Sequence, residues 1–151
     1  MILAVLPIAN IYAYNYRAFQ ANMEGVDHAR SMEQPVGGGN CMNWVIGHVL
    51  VARDQVLTTL GLPTVCDPAM AEIYGREGMK VSEKFRNLGT LLMLFEGSQE
   101  MIQTGLDGLE ETKPGLEAIL RQVSGLAFHE AYHLGQLGSI RRVLGMEGAI
   151  R

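Results

Sequence analysis

Residues 129–133 read HEAYH, and this short run constrains the fold before it constrains a function. On a helix, at about 100° per residue, His133 lies about 40° round from His129 and about 6 Å further along the axis. Both imidazoles therefore leave the same face, where Leu126, Leu137 and Ile140 also fall. Two imidazoles one turn apart can clamp a metal ion. The alternative is a pair of partly buried histidines satisfied by hydrogen bonds.

The same helical period recurs along the rest of the chain. From about Pro7, residues Ile8, Tyr12, Tyr16, Phe19 and Met23 recur at steps of three and four, which predicts a first helix stopping near Gly25. After the GGGN run at 37–40, Cys41, Trp44, Val45, His48, Ala52, Gln55 and Val56 share one face of a second helix, with Asn40 placed to cap it and Gly61 to end it. A third is expected from Ser82 through Phe85, Leu88, Leu92, Phe95, Gln99, Ile102 and Leu106. The fourth follows Thr112, with Pro114 and Glu117 in its first turn, and runs to Gly145. No stretch alternates apolar and polar residues with β-branched enrichment for long enough to predict a strand, so the expected class is all-α, a four-helix bundle. The link at 107–113 is short and favours antiparallel neighbours. The 62–81 segment is long enough to run back along a helix, which permits parallel second and third helices.

A chain of 151 residues has the size of one domain, 1–151, able to bury a core without disulfides. With 12 basic against 16 acidic residues it offers no basic surface for nucleic acid. The apolar opening MILAVLPIANIYAYNY has no positively charged leader and no small-residue cleavage site, so it is read as the first core helix; a membrane span is not expected. Cys41 and Cys66 form no C-x-x-C pair, which suits a reducing compartment, and a cytoplasmic location is expected.

The third ligand decides what the HEAYH helix is for. In zinc peptidases the glutamate of His-Glu-x-x-His is the general base. One continuation of that motif needs Gly at 136 and His at 139, where this sequence has Gln136 and Ser139. Another needs a glutamate about twenty residues downstream, and the later acid here is Glu147. Neither fits. His28 lies in the polar stretch GVDHARSMEQ and reads as a solvated histidine. His48 is centred on the apolar face of the second helix, and facing helices of a bundle can bring it to His129 and His133 as a third neutral nitrogen ligand. Cys41, about 10.5 Å along the helix from His48, is too far to bind the same ion and reads as a buried, inert thiol.

Two segments, GGNCMNWVIGHVLVARDQVLTTLG at 38–61 and FHEAYHLGQLGSIRRVLG at 128–145, resemble the DinB/YfiT-like family of metal-binding helical bundles in order, separation and helical placement. They cover about a quarter of the chain. The resemblance implies an up-down-down-up bundle, one divalent metal ion (Zn, Ni, Fe or Mn) held by His48, His129 and His133, and a homodimer. It also implies a small-molecule substrate, because relatives include thiol-dependent S-transferases and isomerases that use a low-molecular-weight thiol as cosubstrate. The leading expectation is a metal-dependent enzyme of the thiol S-transferase or hydrolase kind. The alternatives are a non-catalytic metal or small-molecule binding module and, behind it, a small metallopeptidase. No catalytic side chain is assigned. Gln136 is placed to orient a ligand or to satisfy a core hydrogen bond, Trp44 to pack in the core rather than to form a substrate platform, and Arg141 and Arg142 to offset the helix dipole in solvent rather than to recognise an anion. Glu130, about 100° from His129, is expected to be exposed or to contact a neighbouring helix, and to be a bystander to the metal.

Overall fold

The periodic stretches become four long helices, joined by two short ones, in a computed structural model that describes residues 2–75 and 82–150. In chain order they are α1 (Leu6–Met23), α2 (His28–Met32), α3 (Met42–Leu60), α4 (Pro68–Ile73), α5 (Leu88–Asp107) and α6 (Leu116–Val143). Among the described residues there is no strand, and no helix is long and apolar enough to cross a membrane.

Several helix ends differ from the expected ones, each for a local reason. Cys41, not Asn40, is the N-cap of α3, in extended conformation and without a side-chain cap bond. The third long helix begins six residues after Ser82: the Ser82 hydroxyl caps only a turn, accepting from Lys84 N–H, and Asn87 accepts from Gly89 N–H at 2.9 Å to start α5. Pro114 stands ahead of α6, whose N-cap is Gly115 at φ 74°. Gly61 ends α3 as expected: at φ 79° it lets Leu62 N–H reach the Leu57 carbonyl at 2.8 Å. The stretch around His28 is not all loop, since Asp27 caps the short α2 by accepting from Arg30 N–H at 2.7 Å. His28 is exposed, but its Nδ1 accepts from Leu88 N–H at 3.2 Å.

Among the described residues, α1 and α3 each pack against α5 and α6, while α1 does not meet α3 and α5 does not meet α6. Residue numbers rise together between α3 and α5, where Asn43 bonds Arg86, Arg53 bonds Gln99 and Leu60 lies against Gly105. They also rise together between α1 and α6, where Tyr12 bonds Val123 and Asn22 bonds Arg141. Between α1 and α5 they oppose, Ala9 with Gln103 and Phe19 with Phe95.

Among the described residues the core has two apolar clusters. One gathers Phe19, Trp44, Val49, Leu91, Phe95 and Leu137. The other gathers Tyr12, Leu57, Ile102, Leu106 and Val123. In each long helix a buried polar residue falls between them: Asn15, Arg53, Ser98 with Gln99, and Glu130. Arg53, 1% exposed, fixes this layer. Its Nε and one terminal nitrogen donate to the two Glu130 oxygens at 2.8 and 2.9 Å. The remaining donors reach Gln99 Oε1 at 2.9 Å, Ser98 Oγ at 2.9 Å and the Phe95 carbonyl at 3.2 Å. All five guanidinium N–H groups are thus matched, and the guanidinium lies 3.8 Å from the centroid of the Phe95 ring.

Glu130 is therefore buried in a neighbouring-helix ion pair, not exposed. Arg141 is also buried, not solvated: it donates to the carbonyls of Asn22, Glu24 and Glu147 and ties the end of α6 to the end of α1. Removing one member of a buried ion pair strands the other's charge. Glu130→Gln should lower stability by ~3–5 kcal/mol, read from urea unfolding. Arg53→Met combined with Glu130→Leu should cost less than the sum of the two single changes, by a coupling of at least ~1 kcal/mol.

Candidate metal centre

His48 and the pair His129 and His133 meet across the α3–α6 seam, just above the Arg53–Glu130 layer. Each offers a ring nitrogen within 4.8 Å of the others, and the three could hold a metal ion. His129 Nε2 lies 3.2 Å from His48 Nε2 and 3.1 Å from His133 Nε2. His133 is 9% exposed, while His48 and His129 are half-buried and so reachable from solvent.

The outer nitrogens set the chemistry of the inner ones. His48 Nδ1 is 2.8 Å from the Tyr74 carbonyl. A carbonyl only accepts, so Nδ1 carries the proton, and neutral His48 presents a bare lone pair at Nε2. His133 Nδ1 is 2.8 Å from Gln136 Oε1 and is set the same way. Gln136 thus orients a histidine, one turn along α6. Two lone pairs directed at a third imidazole nitrogen at this distance repel unless a proton or a cation lies among them. The ligand nitrogens of a tetrahedral zinc with bonds of 2.0–2.1 Å are roughly 3.3 Å apart, so the donor type, tautomers and spacing all fit a divalent ion. Burial holds the His133 pKa below the ordinary imidazole range against the opposing effect of Gln136, which keeps the ring neutral near pH 7.

Packing fixes the rings further. Trp44 stacks on His48, with centroids 4.6 Å apart and planes 10° from parallel. Tyr132 meets His133 edge-on at 5.2 Å. Trp44, 4% exposed, is core as expected, and its contact with a histidine adds a site role to that packing. Cys41 is fully buried, and burial raises its thiol pKa, in keeping with the inert reading.

Tyr74 is the site residue that periodicity could not reveal, because it acts through its main chain from a connector. It is anchored on three sides. Its hydroxyl donates to Asn43 Oδ1 at 3.0 Å and accepts from Arg86 N–H at 2.6 Å. Its ring packs against Gly47, where an added Cβ would fall 2.3 Å from a ring carbon. Phe85 packs on the same ring at 5.2 Å.

Comparison with protein-family models, with curated proteins and with solved structures returned no match. Imidazole nitrogen NMR of the chain freed of metal with a chelator near pH 7.5 should show His48 and His133 as Nδ1–H tautomers. Nε2–H tautomers at both would contradict the arrangement of Tyr74 and Gln136.

Proposed function

We propose that this chain is a divalent-metal-binding protein of the DinB/YfiT-like kind, a single-domain four-helix bundle of up-down-down-up order. What supports the topology is the set of interhelical pairs: α3 with α5 and α1 with α6 rise together, while α1 with α5 oppose. What supports the metal is one observation, the convergence of three Nε2 atoms, two with their tautomers set from outside. In this reading His48, His129 and His133 hold the ion. A divalent ion so bound would supply Lewis acidity toward a carbonyl, a water or a thiol. The chain's own residues do the positioning: the Tyr74 carbonyl and Gln136 hold two imidazoles in register, and Trp44 shields the face of His48 from water. A transferase or hydrolase acting on a small molecule, with a low-molecular-weight thiol as cosubstrate in the transferase case, is the activity we infer.

One observation favours a second reading. Glu130, the carboxylate next to His129 in sequence, is bound to Arg53 and supplies no base to the histidines. That removes the support for a peptidase mechanism, which needs this glutamate free, and it suits a non-catalytic metal or small-molecule binding module as well as an enzyme.

Purified chain loaded with Zn, Ni, Fe or Mn should carry about one ion per protein. His48→Ala should strip or greatly weaken that ion while the helical circular dichroism persists. Glu130→Gln should keep the parent's metal affinity in its folded fraction. Because ligating imidazoles must be neutral, affinity should fall as pH drops through ~6.5. Full metal retention by folded His48→Ala would sink the three-histidine reading.

A homodimer belongs to the same proposal. Phe128, Tyr132 and Val143 stand exposed on α6, and among the glycines of that helix Gly125 and Gly135 face open space whereas Gly138 packs against Asn22 of α1. Light scattering at high micromolar concentration should give twice the chain mass; a monomer would count against the pairing.

A further inference from the structure

A groove of about 660 Å³ lies along the C-terminal half of α3, beyond His48 and not itself lined by the three histidines. Two of its α3 residues, Val51 and Gln55, lie about 60° and about 20° round from His48, at about 4.5 and 10.5 Å along the axis. From α6 it takes Gln122, about 20° from His129 and about 10.5 Å back along that helix. Gln55 and Gln122 therefore stand at similar heights beyond the histidines on the two sides of one seam. The third wall is the segment 64–71, pinned by Asp54, whose two oxygens accept from Val65 N–H at 2.8 Å and Cys66 N–H at 3.1 Å.

We propose that this groove is a binding cleft for an elongated uncharged or cationic small molecule, with its coordinating end at the three histidines and its tail along Val51, Gln55 and Gln122. The proposal rests on the metal reading above and names the class of ligand for that site. The volume falls in the roughly 300–1,000 Å³ typical of small-molecule pockets. The charge comes from the lining. Among its described residues are Asp54 and Asp67 and no Lys, Arg or His. Asp67 is matched by Arg86, but Asp54 lines the cleft with its oxygens on neutral main-chain N–H groups, and among the described residues no cation pairs with it. The Thr58 and Thr59 hydroxyls donate back into α3, at 2.8 and 2.7 Å, which leaves their lone pairs for a ligand's hydroxyl, amide or ammonium donors. Burial and Asp54 keep the Cys66 thiol protonated, so it adds no anion and no nucleophile. A carboxylate-bearing tail would meet Asp54 and, among the described lining residues, no cation.

The test uses zinc-loaded full chain and four hydroxamates, each able to ligate the ion, in titration calorimetry. Acetohydroxamate has no tail; the others carry a six-carbon chain ending in hydroxyl, ammonium or carboxylate. Hydroxyl and ammonium tails should bind about tenfold tighter than acetohydroxamate, shift the amide resonances of Gln55, Thr58 and Gln122, and leave the carboxylate tail with no gain. Gln55→Arg, at an exposed position, should transfer the preference to the carboxylate tail. Equal affinity for all four, with acetohydroxamate still dependent on His48, would overturn the cleft and leave the metal reading standing. A carboxylate tail binding tightest to the parent would overturn the charge assignment. No hydroxamate binding, on a chain that takes up no zinc, would overturn both.

Discussion

A fully buried guanidinium with every N–H matched is the constraint on which the rest of this structure depends. Arg53 reaches α5 through Phe95, Ser98 and Gln99 and α6 through Glu130, so three long helices meet at one polar height. Apolar clusters on either side tolerate sliding, because burial is non-directional. Five directional bonds do not. A shift of one turn would strand a charge in the core, at a cost far above that of a misplaced methyl group. Since Glu130 follows His129 directly and Arg53 lies five residues after His48, the bond that sets the helix register also sets the height at which the histidines meet.

The histidine cluster is assembled in two ways. From inside, α3 and α6 bring the rings together by their faces. From outside, an oxygen on each of two Nδ1 atoms decides which nitrogen faces inward. Gln136 does this within α6, one turn from its histidine. Tyr74 does it from a connector, which makes the 62–75 segment a structural part of the cluster rather than a link between helices.

Much of this was legible in the sequence, and the boundary of legibility follows physical lines. The periods that place Ile8, Tyr12, Phe19 and Met23, or Phe95, Ile102 and Leu106, on buried faces survive intact, because burial of a face is a sum over many residues. The i, i+4 pair and the lone imidazole on the apolar face of α3 were enough to expect three nitrogens together. Helix ends were less legible: Asn40 and Ser82 are good caps by type, yet Cys41 stands at the start of α3 and Asn87 caps α5. Arg141 reads by its charge as a solvated, dipole-compensating residue, and the angle of Glu130 on its helix leaves both exposure and a neighbouring-helix contact open. Their burial depends on partners far away in sequence, Arg53 and the carbonyls of Asn22 and Glu24, which one-helix periodicity does not contain.

The clamp on His48 has a consequence for how the site tolerates change. Its acceptor is a main-chain carbonyl, present whatever side chain occupies position 74, so no single replacement there deletes it. What a replacement can do is move it. The bare face of Gly47 leaves room for the Tyr74 ring, and Asn43 with the Arg86 N–H fixes the hydroxyl. Inheritance of the histidine's orientation is thereby spread over residues that touch no metal ligand at all, and a glycine with no functional group is among the most exacting of them.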